Sequence, residues 1–217
     1  MKLLKENLVQ PIELITESTK GGGQSHYLSG PFLQADIKNK NGRIYSLSVM
    51  ENAVNLYREE KINTNRAYGE LSHPEGPNIN LERVSHLITE LNLSKSTYHG
   101  KAKILEHTPC GKIVSELLKA GAGLGVSSRG MGSLKEENGC YHVQDDYRIS
   151  TAADVVADPS APEAFVQGIM ESADWIWQSG VWKISDLEES KKSVRDATRR
   201  HIQEEKLRIF KKLMRII

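Results

Sequence analysis

Three short segments of this 217-residue chain carry residue types that could form and break covalent bonds. Ser127 lies in Gly125-Val126-Ser127-Ser128-Arg129-Gly130, among residues small enough for a substrate backbone to come close. A serine hydroxyl is a poor nucleophile until a base takes its proton. His73 is a candidate base. It closes the run Gly69-Glu70-Leu71-Ser72-His73-Pro74, at a strand end just before a rigid turn. Taken alone, it reads more readily as a turn histidine. Asp154 interrupts the apolar run Ala153-Asp154-Val155-Val156. A carboxylate buried there needs a partner, and a histidine N–H is a suitable one. On a solvent-facing strand edge it would have no such role. Asp158, just before Pro159, has the character of a turn acid and is the competing carboxylate. His86 reads as structural. Cys110, Cys140, His107 and His142 lack metal-ligand spacing, and no phosphate loop or dinucleotide fingerprint is present. Neither a metal nor a cofactor is expected.

The elements that must position these residues follow from periodicity and turn chemistry. Val49, Met50, Ala53, Val54, Leu56 and Tyr57 have helical spacing. Leu81, Val84, Leu87, Ile88 and Leu91 repeat it, predicting a second helix capped by Asn80 that runs into a strand-like stretch. Residues 111–121 predict a helix closed by Gly121. Residues 98–108 alternate as a strand, and Asn39 to Gly42 is a turn signal. The stretches 123–134 and 141–150 read as extended, joined by a hairpin turn at 135–139. Strands do not alternate strictly with helices, so the fold class expected is α+β.

Composition excludes several classes. The formal net charge of +1 offers no basic field for nucleic acid. Two cysteines are too few for a disulfide scaffold and fit a reducing compartment. No apolar run approaches the roughly 20 residues of a membrane span, and residues 1–14 lack a signal peptide's apolar region. Thr19 to Ser25 is linker-like, so residues 1–29 are expected to be a flexible leader or propeptide. The expected core domain is 30–180. Residues 181–217 are expected to form a basic amphipathic helix: from Asp186 onward there is no Gly or Pro, and Lys/Arg exceed Asp/Glu by ten to six. Val194, Ala197, Thr198, Ile202, Ile209, Leu213 and Ile216 could share one face. That helix either packs on the core or docks into a partner's groove.

Read together and in order, the segments 32–46, 68–91, 125–134 and 154–165 resemble the prohead (capsid maturation) proteases of tailed bacteriophages, most closely the T-even type. The resemblance covers about residues 28–168. It implies a herpesvirus-protease-like fold, a small β-barrel or folded-over sheet surrounded by helices, with the C-terminal helix appended. It implies Ser127 as nucleophile, His73 as general base and Asp154 as the acid that orients the imidazole. Backbone N–H groups of Ser128, Arg129 and Gly130 are then the oxyanion-hole candidates. The implied activity is endopeptidase cleavage of phage scaffold, major capsid and internal head proteins. Cleavage follows Glu when Leu or Ile stands two residues before it. Arg129, Arg43 and Arg66 are the candidates for the cation that would receive that glutamate.

The same rule makes Glu17, Glu189 and Glu204 candidate self-cleavage sites near the two ends, and loss of the tail would couple activation to release. The expected setting is the inside of the viral prohead in the host cytoplasm. A homo-oligomer is expected, and no direct nucleic-acid or membrane partner. Two rival readings stand beside this one. One is a catalytically inactive prohead scaffold or core structural protein. The other is a serine esterase, against which the missing Gly-x-Ser-x-Gly elbow counts.

Overall fold

Strand pairing organises most of the described residues. A computed structural model describes residues 1–7, 12–18, 24–74, 76–157, 175–178 and 181–184. The chain divides into two compact units, residues 1–171 and 172–217. In the first, the strands are β1 (Lys2–Asn7), β2 (Glu13–Ser18), β3 (Gln24–Gln34), β4 (Arg43–Ile44), β5 (Tyr68–Glu70), β6 (Val84–Ser94), β7 (Thr97–Ile104), β8 (Gly125–Gly132), β9 (Leu134–Glu137), β10 (Cys140–Val143) and β11 (Arg148–Val156). Helix α1 (Leu47–Tyr57) stands between β4 and β5, and α2 (Pro109–Lys119) between β7 and β8. The described residues thus combine many strands with two helices, an α+β fold.

The strands form an antiparallel five-stranded sheet in the order β2-β3-β7-β6-β5, a sheet β1-β8-β11, and a small sheet β4-β10-β9. These ladders do not close on one another into a barrel among the described residues. A single parallel bridge, Leu71 to Val155, stitches the end of β5 to β11.

Both helices have the starts their sequences call for. The Ser46 hydroxyl accepts from the Val49 amide at 3.2 Å, and α1 buries Val49, Met50, Ala53, Val54 and Tyr57. The Thr108 hydroxyl accepts from the Gly111 amide at 3.0 Å, with Pro109 in the first turn. Gly121, with φ +80°, follows the end of α2.

The expected helix over 81–91 is instead a 3₁₀ turn, Leu81–Arg83, followed by strand β6. Asn80 does cap the turn, its side chain accepting from the Glu82 amide at 3.0 Å. A bulge in β6 between Ile88 and Glu90 explains the mistaken period. Val84, His86 and Ile88 are buried at strand spacing; the inserted residue then puts the next buried side chain at Leu91. The apolar residues 84, 88 and 91 therefore imitate one face of a helix.

The stretch read as a flexible leader, residues 1–29, holds strands β1 and β2 and the start of β3. β1 pairs with β8 from Lys2–Gly132 to Asn7–Ser127, and β2 pairs with β3. Leu3 and Leu4 are buried.

The second unit's described part is an antiparallel hairpin of β12 (Trp175–Gln178) and β13 (Val181–Ile184). Trp177 and Trp182 meet edge-to-face across it, with ring centroids 5.2 Å apart. Residues 181–184, placed by sequence in a helix, are thus a strand. The remainder of the expected C-terminal helix lies outside the described residues.

Candidate active site

Ser127 and Asp154 are brought together by strand register. β8 and β11 run antiparallel with Ser127 opposite Asp154, beyond an irregularity between Thr151 and Asp154. His73 arrives from elsewhere. β5 ends at Glu70, the Leu71 bridge ties the chain to β11, and the Ser72 amide donates to the Val155 carbonyl at 2.8 Å. Ser72 then takes a left-handed conformation, φ 61°, which turns the chain so that His73 lies over Asp154.

The result is a continuous chain of hydrogen bonds. His73 Nδ1 lies 2.9 Å from Asp154 Oδ2, and His73 Nε2 lies 2.6 Å from Ser127 Oγ. An ionised carboxylate can only accept, so Nδ1 carries the proton and Nε2 presents its lone pair to the serine hydroxyl. Burial of Asp154 opposes its ionisation. The Arg129 guanidinium and His73 outweigh that and hold its pKa down at about 2. Arg129 Nε donates to Asp154 Oδ2 at 2.5 Å, and the Glu70 amide donates to Oδ1 at 2.9 Å. Ser127, Arg129 and Asp154 are all completely buried.

Arg129, whose backbone was an oxyanion-hole candidate and whose side chain was a candidate for substrate glutamate, spends that side chain on Asp154 and Glu70. The Ser128, Arg129 and Gly130 backbones lie on β8, with β1 on one side and β11 on the other. Gly130 has a second reason to be glycine: a Cβ there would lie 2.4 Å from the ring of Tyr147. Gly69 is comparable, since a Cβ would fall 2.0 Å from His86 Nε2. His86 is on β6, fully buried, with Nε2 3.0 Å from the Ala153 carbonyl. Burial lowers its pKa to about 4, so it is neutral and donates to that carbonyl.

One neighbour of Ser127 was missed by the sequence reading. Ser127 Oγ lies 3.0 Å from the carbonyl oxygen of Glu6, on β1. The Glu6 side chain is buried and surrounded by donors. Asn41 Nδ2 donates to Oε2 at 2.6 Å, and Tyr45 O–H and an Arg43 guanidinium N–H donate to Oε1 at 2.7 and 3.0 Å. Burial raises the Glu6 pKa, and these three partners, Arg43 foremost, pull against it. A signal was present in the sequence: Leu4-Lys5-Glu6 has the same Leu-x-Glu spacing as the other candidate sites.

Of the three candidate cations for glutamate, Arg43 is at this carboxylate. Arg66 bonds to the Glu60 carbonyl and the Thr64 hydroxyl. Glu17 is on β2, its carboxylate 2.5 Å from Lys101 Nζ. Glu189, Glu204 and Asp158 lie outside the described residues. No cluster of His, Cys, Asp and Glu able to hold a metal occurs among the described residues.

A serine hydroxyl, an imidazole and a buried carboxylate in one hydrogen-bonded line are the parts of a serine hydrolase. Comparison with known proteins narrows the class. Residues 7–174 match the family model described as prohead core protein serine protease, and the chain belongs to that family, in its T-even branch. It is 36% identical over 143 residues to the prohead core protein protease of Enterobacteria phage T4, covering 64% of this chain and 67% of that protein. The solved structure of the bacteriophage T4 capsid assembly protease superposes with a TM-score of 0.67 at 32% identity, covering 71% of this chain and 97% of that one. The protein is accordingly a protease of phage capsid assembly, and the inactive-scaffold reading is not favoured. No described helix is long and apolar enough to cross a membrane.

Proposed function

We propose that this chain is a serine endopeptidase acting through Ser127, His73 and Asp154, that it cuts after glutamate, and that its first substrate is its own N-terminal strand. The hydrogen-bonded line from Asp154 through His73 to Ser127 carries the first part. As Ser127 Oγ bonds to the scissile carbonyl carbon, its proton passes to His73 Nε2. The imidazolium is stabilised by Asp154 and returns that proton to the departing amine. Water, activated by the same imidazole, then releases the acyl group from Ser127. N–H groups of Ser128, Arg129 and Gly130 remain the donors proposed for the oxyanion.

Specificity rests on Glu6. Three donors converge on its carboxylate while its carbonyl oxygen lies 3.0 Å from Ser127 Oγ, which holds a glutamate beside the nucleophile. In this pose the carbonyl oxygen faces the hydroxyl. Attack on the carbon needs the peptide to turn that oxygen toward N–H donors, so β1 acts as a plug before it acts as a substrate. Cleavage between Glu6 and Asn7 would free one side of β8 for the extended backbone of other substrates. Those are phage scaffold, major capsid and internal head proteins inside the prohead. The fold's kinship with herpesvirus assembly proteases is part of the same proposal, as are later cuts after Glu17, Glu189 and Glu204. Glu17 should follow Glu6, because β2 must leave the sheet before a protease can take it as extended chain.

Time-resolved intact mass of the wild type beside Ser127→Ala and Ser128→Ala tests this. The wild type and Ser128→Ala should lose residues 1–6, and Ser127→Ala should stay intact. Equal processing of Ser127→Ala would remove the proposed nucleophile.

A further inference from the structure

Glu70 has no role in the steps above, yet it is completely buried beside the triad. Its Oε2 lies 3.2 Å from an Arg129 guanidinium nitrogen, and its Oε1 accepts from the Asn80 amide. Its own amide bonds to Asp154 Oδ1 at 2.9 Å. Arg129 also donates to the Gly76 carbonyl at 2.7 Å. Arg129 and Glu70 thus clasp both ends of the loop that leaves His73 and returns at Asn80.

The charges sharpen the point. A guanidinium 2.5 Å from the acid of a catalytic triad competes with the imidazole for that acid's charge. Asp154 and Arg129 alone would be neutral, a poor environment for a proton arriving on His73. Burial raises the Glu70 pKa and the Arg129 guanidinium pulls it back down; as a carboxylate, Glu70 adds one negative charge to the same buried cluster. The other titratable or charged groups around it among the described residues are Arg83 from the 3₁₀ turn, Tyr57 from α1, His86 from β6 and, through Ser127, Glu6 from β1.

Resting on the triad reading above, we propose that Glu70 is a positioning residue of this protease: it takes up the charge of Arg129 so that Asp154 remains available to the His73 imidazolium, and with Arg129 it latches the His73 loop. The test uses the full chain after self-processing, with active sites counted by a fluorophosphonate. Then kcat and KM are measured on a Leu-x-Glu peptide anilide from pH 5 to 9. Glu70→Gln should lower kcat about tenfold with KM within about twofold, and displace the acid limb of the kcat profile about one pH unit downward. The direction follows from sign: one less negative charge makes the protonated imidazole harder to form. A purely structural role would lower the melting temperature or the number of titrated sites and leave the limb in place, which would overturn the proposal. If Glu70→Gln gives no titratable sites, Glu70→Asp decides. It keeps the charge but withdraws it from Arg129, so kcat should fall at constant KM; wild-type kcat would overturn the proposal. Turnover by Ser127→Ala would instead overturn the triad reading on which it rests.

Discussion

Replacing Glu6 by glutamine keeps the shape of the side chain and removes its charge. The consequence can be worked from its three contacts. Asn41 Nδ2 donates to Oε2. Tyr45 and Arg43 both donate to Oε1. With glutamine one of the two terminal atoms becomes an NH₂ group, so either Asn41 or the Tyr45–Arg43 pair faces a donor. Arg43 also loses its counter-charge in a site where both side chains are largely shielded, 14% and 11% exposed. Hydrogen bonds to a charged group contribute roughly 1.5–3 kcal/mol. Loss of one such bond as the peptide reaches the transition state slows cleavage roughly 10–100-fold. The assay is intact mass against time for wild type and Glu6→Gln across a wide range of protein concentration. The wild-type rate constant for losing residues 1–6 should not depend on concentration, because strand and serine belong to one chain. The glutamine variant should lag by the factor given. Equal rates for the two proteins would refute the assignment of Asn41, Arg43 and Tyr45 as the glutamate pocket. A rate that rises in proportion to concentration would refute cleavage within the chain.

Three further outcomes are expected. Asp154→Asn should cut kcat by about 10⁴, the reference loss for a triad acid, with Asp158→Asn close to wild type in the same peptide assay. His86 should make stability pH-dependent: its pKa falls from 6.5 to about 4 on burial, so between those values the unfolded chain binds a proton the folded one refuses. The His86 contribution to stability should therefore fall by about 3 kcal/mol as pH drops from 6.5 to 4, opposed by the buried carboxyls of Glu6 and Glu70; it is read as the difference in chemical denaturation between uncleaved Ser127→Ala and the same protein carrying His86→Gln. The depressed Asp154 pKa adds a second loss only below about pH 4, as pH falls toward 2. Gly130→Ala should cost about 1–3 kcal/mol, because its Cβ would enter the Tyr147 ring; unchanged denaturation would mean that the ring moves aside freely.

Local chemistry in the sequence determined much of this protein. Ser46 and Thr108 start helices because a short side-chain oxygen satisfies amides that the first turn leaves unpaired. Asn138 and Gly139 turn the β9–β10 hairpin with positive φ. His73 before a rigid turn and Ser127 among small neighbours were visible as candidates, but locally each reads as readily as an ordinary turn or loop, and the family resemblance singled them out. Long-range pairing decided the rest. The bulge in β6 became visible only against β7, so its buried residues passed for a helical face. Asp154 could be distinguished as a buried acid only once β11 lay beside β8 and His73 turned over it. Arg129 reads from sequence as a candidate for substrate, but its position on a wholly buried strand turns it toward two carboxylates. The placement of Glu6 was the least legible. Its neighbours in sequence are those of a charged leader, and its meaning comes from a serine 121 residues away, reached by pairing β1 with β8. Hydrogen bonds between strands depend on backbone groups that every residue shares, so their partners are set by the folded sheet and leave little trace in residue type.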